Sequence, residues 1–407
     1  MKHLKRLALP LAAALLLAVC GCAGTAPAAP AELPPAPVAA PDPAPETPPA
    51  PAPAEPDPAP ETPDPIAARI AAMTPAEKVG QLFLVRPEAL LPGGPEANGP
   101  VTAFSEEMAE TLARYPVGGV VLFAKNMTGP AQLRALTRDL QAAASLPLFL
   151  AVDEEGGAVS RLANHAGFDV PRYPGAAAVG AEGADAVRAM GRAIGGYLAV
   201  YGFNMDFAPV ADLALDRRSP IGDRAFSPDG HTAAVLAGAM AEGLMSRGVI
   251  PVYKHFPGHG GASGDSHSAL AVNGAAPETL AETEWLPYTE NDLTGCAVMA
   301  GHIALPAVTD PPVSAALDAA VVTGLLRERL GFDGLVITDA MEMAGAGDLP
   351  PGEAAVAALL AGCDVVLMPT DLPAAFDAVL AAVESGVISG ARLDASVCRI
   401  LSLKPDS

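Results

Sequence analysis

Short apolar runs alternate along this chain with longer stretches in which apolar positions recur every three or four residues. From residue 66 onward eight runs stand out: Gly80–Val85, Gly118–Phe123, Leu146–Val152, Phe203–Ala208, Val249–Tyr253, Ala297–Gly301, Leu335–Thr338 and Asp364–Met368. The stretches of helical period include Ala184–Tyr201, Thr232–Arg247, Pro277–Asp292, Ser314–Leu330 and Pro351–Ala361. Such alternation predicts parallel strands joined by crossover helices. Eight repeats fit a closed (β/α)8 barrel better than an open sheet, whose edges would need separate protection. The expected fold class is therefore α/β, with one barrel domain over residues 66–407.

The polar residues that interrupt the pattern fall in one place. Asp153 and Glu154 follow the third predicted strand, Lys254 and His255 the fifth, His302 the sixth and Asp339 the seventh. All lie at strand carboxyl ends, the face on which barrels build their sites. After the fifth strand comes KHFPGHGGASGDSH, Lys254–His267, with three of the chain's seven histidines among its fourteen residues. Five Gly or Pro residues keep this stretch from being a regular helix, and such a loop suits folding over a ligand.

Composition changes the picture mainly at the N-terminus. A basic start (Lys2, Lys5, Arg6) and an apolar stretch from Leu7 to Val19 match a secretory signal and are too short for a membrane span. Gly21 before Cys22 resembles a bacterial lipobox, so residues 1–22 read as a lipoprotein signal peptide with Cys22 lipidated. A plain signal peptide is the alternative. Residues 23–65 are almost all Ala, Pro, Glu, Asp and Thr, with DPAPETP occurring twice. With so little to bury, this segment reads as a polyproline-like tether, roughly 130 Å long at about 3.1 Å per residue. The expected location is the cell envelope, lipid-anchored, on the periplasmic face of an outer membrane or on the outer surface.

A formal net charge of -22 argues against nucleic acid as a partner. Beyond the signal only Cys296, Cys363 and Cys398 remain, widely spaced, so no disulfide framework is implied. A metal site built from His255, His259, Asp265 and His267 is disfavoured because Pro257-Gly258 breaks the helical geometry of a His-x3-His pair. No cofactor or metal is expected.

DEEGGAVSRL (Asp153–Leu162), IGDRAF (Ile221–Phe226), KHFPGHG followed by GDSH, and GFDGLVITDAMEM (Gly331–Met343) occur in that order. Together they resemble glycoside hydrolase family 3, and within it the single-domain bacterial β-N-acetylglucosaminidases that act on peptidoglycan fragments. The likeness covers about residues 66–400. It implies a retaining hydrolase with Asp339 as nucleophile. Only 68 residues follow Asp339, so the proton must come from the barrel. The resemblance assigns that role to His267, supported by Asp265; in an extended segment residues two apart point the same way. An imidazole titrates near neutrality, as a group that is acid in one step and base in the next requires.

Asp153, Arg161, Arg224, Lys254 and His255 match family positions that bind sugar hydroxyls; for Asp153 and Arg224 a buried ion-pair network at the rim is the alternative. His259 reads as structural, and His302 as either pocket wall or satisfied core histidine. Ala158 departs from the pattern, since the residue after EGG is commonly basic in the family. Aromatic residues make up 4% of the chain, with Trp285 its one tryptophan; few stacking platforms favour a short pocket for a small glycan or muropeptide. The expected protein is a monomeric exo-β-N-acetylglucosaminidase. A β-glucosidase, a β-xylosidase or an N-acetylglucosaminide phosphorylase are the alternatives within the family. A non-catalytic glycan-binding lipoprotein is the alternative of another class.

Overall fold

The computed structural model describes residues 64–215 and 220–404. The signal peptide, Cys22 and nearly all of the tether lie outside the described residues. The first helix begins at Pro65, with the Asp64 carboxylate accepting the Ile66 N–H at 3.0 Å. Proline suits a first helical turn, where its missing N–H costs nothing.

All eight expected runs form strands: β1 Phe83–Val85, β2 Gly119–Val121, β3 Phe149–Val152, β4 Met205–Asp206, β5 Ile250–Phe256, β6 Ala297–Ala300, β7 Leu335–Thr338 and β8 Val366–Leu367. Each pairs in parallel with its sequence neighbours, from Leu84 opposite Gly119 through Leu335 opposite Ala297. β8 returns to β1, with Val366 opposite Phe83, and a parallel bridge between Ile337 and Val365 joins β7 to β8. The sheet closes into a (β/α)8 barrel.

The strands are buried on both faces, as crossover helices on one side and a filled barrel on the other require. Leu84, Val120, Phe149, Val252, Val298 and Val336 are all sealed from solvent, and each such side chain stabilises the fold by roughly 1.5–3 kcal/mol. This rigid interior leaves the carboxyl ends of the strands free to carry chemistry.

Two expected helices differ. Pro277–Asp292 is broken into Pro277–Ala281 and Leu286–Thr289. The Trp285 N–H donates to the Leu280 carbonyl at 2.8 Å, closing the first piece, and Pro287 has no N–H with which to continue it. The break turns Glu284 and Trp285 into the interior, where both are buried. Ser314–Leu330 splits into a 3-10 turn at Ala315–Leu317 and a wide, π-type helix at Ala320–Arg329. Asp318 interrupts it, its carboxylate accepting the Ala320 N–H at 2.9 Å.

Candidate active site

The segment after β3 folds into a small antiparallel hairpin, Glu154–Gly156 against Val159–Ser160. Glu154 organises it: its buried carboxyl accepts the Leu162 and Ala163 N–H groups, each at 2.9 Å, and the Tyr197 hydroxyl at 2.8 Å. Burial raises its pKa against the pull of those donors. The hairpin thereby brings Arg161 back onto Asp153, with Nη2 at 3.1 Å from Oδ2. Ala158 stands exposed at the hairpin tip.

Lys254, at the end of β5, inserts between two carboxylates. Its Nζ lies 2.7 Å from Asp153 and 2.6 Å from Glu155. Glu155 in turn receives Arg224 in a fork, with Nε and Nη2 each at 2.8 Å. Burial opposes charge on Asp153 and Glu155, but the cations beside them prevail. Lys254 and Arg161 hold Asp153 well below the usual carboxylate range, while Lys254 and Arg224 lower Glu155. The ammonium of Lys254 is stabilised in return. Five side chains from three stretches of chain thus form one ionic chain, Arg161–Asp153–Lys254–Glu155–Arg224, so four of the five sugar-binding candidates also belong to the rim network and His255 stands outside it.

His255 points its Nδ1–H at Asp212, 2.6 Å away. Among the described residues no group bonds its Nε2, which leaves that nitrogen for a ligand. Asp212 also accepts the backbone N–H groups of His255 at 3.2 Å and His259 at 2.7 Å. Burial opposes the Asp212 charge, yet the histidines lower its pKa.

Asp339 directly follows β7 and is nearly buried. Its N–H donates to the Ala300 carbonyl at 2.8 Å, and its Oδ1 accepts the Ala340 N–H at 2.8 Å. Oδ2 bonds no described residue and is the oxygen available to an electrophile. His302 is a satisfied core histidine that also serves the site. Its Nε2–H donates to the Ala340 carbonyl at 3.0 Å, so its Nδ1 must accept from the Ser314 hydroxyl at 2.9 Å. Burial lowers its pKa, and it pins the backbone beside Asp339.

Asp265 and His267 meet on the exposed part of the loop after β5, with Nδ1 at 2.9 Å from Oδ1. The route differs from the extended one expected. Asp265 Oδ1 also accepts the His267 N–H at 3.0 Å, and its carbonyl accepts the Ser268 and Ala269 N–H groups. This is an Asx-type turn, in which the side chain imitates a backbone acceptor. Hydrogen bonding from His267 lowers the Asp265 pKa. Ser266, between them, is buried: its hydroxyl lies 3.2 Å from His259 Nε2, and its carbonyl accepts the Gly345 N–H at 3.0 Å. Gly345 is obligatory there, because a Cβ would stand 2.6 Å from the Ser266 oxygen.

Sequence reasoning missed Glu155 and Asp212. The doubled acid in DEEGG was a signal for the first, because two carboxylates at a strand end need cations. Asp212 sits in an apolar loop six residues past β4 with nothing beside it to mark it.

A cavity of about 380 Å³ opens at this end of the barrel beside Arg86, Phe123, Lys125, Arg161 and Met368. A larger one, about 650 Å³, lies at the opposite end near Cys296, Gly334 and Cys398, away from the ionic chain. The site is marked by its charge chemistry rather than by cavity size. Fixed carboxylates, fork donors and imidazoles at a barrel mouth are the equipment of an enzyme that grips hydroxyl-rich substrates.

Comparison with known proteins narrows that class. Residues 74–403 match the Glycosyl hydrolase family 3 N terminal domain, and the chain belongs to this family of glycoside hydrolases. A β-hexosaminidase of Chromobacterium violaceum is 37% identical over 290 residues, 69% of this chain and 79% of that protein. The family 3 β-N-acetylglucosaminidase of Paenibacillus sp. superposes with a TM-score of 0.74 at 38% identity, over 82% of this chain; the chain spans 62% of that enzyme. A family 3 glycosyl hydrolase from Mycobacterium smegmatis gives a TM-score of 0.71 at 33% identity, over 83% of this chain and 99% of that one.

Proposed function

We propose that this hydrolase is a retaining exo-β-N-acetylglucosaminidase that removes terminal N-acetylglucosamine from peptidoglycan fragments. The observation that carries the reading is the pairing of an anchored carboxylate, Asp339 with its Oδ2 bonded to no described residue, and a hydrogen-bonded His267–Asp265 couple on the loop whose Ser266 rests on the segment after Asp339. The β-hexosaminidase from Chromobacterium and the β-N-acetylglucosaminidase from Paenibacillus support the choice of sugar.

In the first step Asp339 Oδ2 attacks the anomeric carbon and the bond to the leaving oxygen breaks. His267 Nε2–H gives its proton to that oxygen while Asp265 holds Nδ1–H and stabilises the imidazolium. In the second step water attacks the anomeric carbon, His267 takes its proton, and the bond to Asp339 breaks. The ionic chain from Arg161 to Arg224 binds and orients hydroxyls without reorganising, which is where a barrel of fixed charges gains most. An imidazole repels an attacking phosphate less than a carboxylate would, so phosphorolysis is the second reading.

His267→Ala should lower kcat/KM on an unactivated disaccharide by about 10²–10⁴-fold, and on a dinitrophenyl glycoside it should spare kcat/KM but lower kcat, because the second step lacks its base. Azide, which needs no base, should restore that kcat. Wild-type rates on the disaccharide would refute the assignment, and sugar phosphate formed in phosphate buffer would move the reading to phosphorolysis.

Export and lipidation at Cys22 complete the proposal: an envelope lipoprotein that trims wall fragments on a tether. Cys22→Ser should release the protein from the membrane fraction, and retention there would contradict the anchor.

A further inference from the structure

The loop that carries His267 has an inner and an outer part. The outer part, around Asp265 and His267, is exposed. The inner part is largely buried, and its two stems converge on one side chain. Glu284 Oε1 accepts the Gly261 N–H of the entering stem at 3.1 Å, and Oε2 accepts the Asn273 side-chain N–H of the leaving stem at 2.8 Å. Asn273 passes the contact on, donating to the Gly258 carbonyl at 3.1 Å. Beside it Trp285 Nε1–H donates to the Pro257 carbonyl at 2.9 Å. Further out, Ser263 and Val272 exchange backbone hydrogen bonds of 2.8 and 3.0 Å and close the loop into a ribbon.

The stems fit this carboxylate closely. A Cβ on Gly258, whose φ is +123°, would lie 2.7 Å from Glu284 Cδ. One on Gly260 would lie 2.1 Å from the Leu213 carbonyl oxygen and 3.0 Å from Glu284 Oε1. The helix break at residues 282–285, which the apolar pattern did not foretell, is what brings Glu284 under the loop.

We infer that Glu284 is a positioning residue for the proton donor: by joining both stems of the loop through one buried carboxylate, it fixes the base from which Asp265 and His267 are presented. The inference rests on the reading of His267 as acid and base. Glu284 touches no reacting atom. Its own pKa is pushed up to about 7, by burial first and then by Asp212. What marks it out is geometry: its two oxygens are each committed to a different stem of the loop.

Glu284→Gln tests the idea, because both stems offer donors and an amide can accept from only one of them through its oxygen. On an alkyl or disaccharide N-acetylglucosaminide the variant should lose about 10–100-fold in kcat/KM, and on a dinitrophenyl glycoside less than about 3-fold. Added to His267→Ala, it should cost less than about 2-fold, since two changes acting through one group are not additive. If Glu284→Gln does not fold, Asn273→Ala removes the leaving stem's link with Glu284 in place and should give the same graded series. A uniform loss across leaving groups, or full additivity with His267→Ala, overturns the clamp. A flat series for His267→Ala overturns the proton-donor reading instead, so the two failures are distinguishable.

Discussion

The barrel holds buried ionic clusters at both ends, and they are built on different plans. At the amino end of the strands Asp364 is fully buried and overpaid in donors. Its Oδ2 takes Arg327 at 2.7 Å and the Val336 N–H at 3.0 Å; its Oδ1 takes the Ser396 hydroxyl at 2.6 Å, with Arg392 and Arg399 at 3.3 Å. Arg327 also donates to the Gly362, Phe332 and Gly334 carbonyls, Arg392 to the Leu359 and Cys363 carbonyls and the Ser396 hydroxyl, and Arg399 to the Asp333 carboxylate. This knot ties two helices to the barrel floor and offers nothing to a ligand. At the carboxyl end the charges pair with one another, Asp339 Oδ2 and His255 Nε2 bond no described residue, and a cavity opens at the same end beside Arg161. Buried charge serves structure when its atoms are all committed to partners within the protein, and chemistry when some of them are held in place but left open.

Substitution at each end sharpens this contrast. Asp339→Asn should lower kcat on the order of 10⁴-fold or more and shift the thermal midpoint by only a few degrees. Asp364→Ala should do the opposite, costing about 3–5 kcal/mol of stability by stranding buried guanidinium groups, while the folded fraction keeps its specific activity. Urea titration and active-site counting on both variants would separate the effects, and comparable stability losses would erase the distinction.

A smaller effect follows from Glu284, which is faced by Asp212 and Tyr288. Its folded pKa, about 7, lies above the ordinary value of 4.5, so the fold prefers the neutral acid. The associated stability is fully present below pH 4.5 and is lost as pH rises through 7, amounting to about 3 kcal/mol. Denaturant midpoints measured between pH 5 and 8 should fall more steeply for wild type than for Glu284→Gln. Parallel curves would show that the buried carboxyl does not titrate there.

The strands were legible because a doubly buried strand must be apolar along its whole length, and loop polarity then marks its carboxyl end. Asp153, Lys254, His255, His302 and Asp339 were placed by that rule alone. The helices were less legible. The apolar spacing of Pro277–Asp292 satisfies a helix, and only a tertiary demand, that Glu284 and Trp285 reach under the loop, breaks it. The partners were least legible: Asp212 acquires meaning from β5, more than forty residues away. The Asp265–His267 contact was expected from extended geometry, yet it arises from a turn, which the Gly264-Asp265-Ser266 composition could have suggested.

The missing side chain at Gly345 has a mechanical consequence. The backbone just beyond Asp339 is the seat on which Ser266 rests, so the segment after Asp339 and the loop that carries His267 share a bearing surface. Anything that tilts one is felt by the other, and the depth of that seat, set by a single hydrogen atom, governs how far the His267 imidazole stands from Asp339.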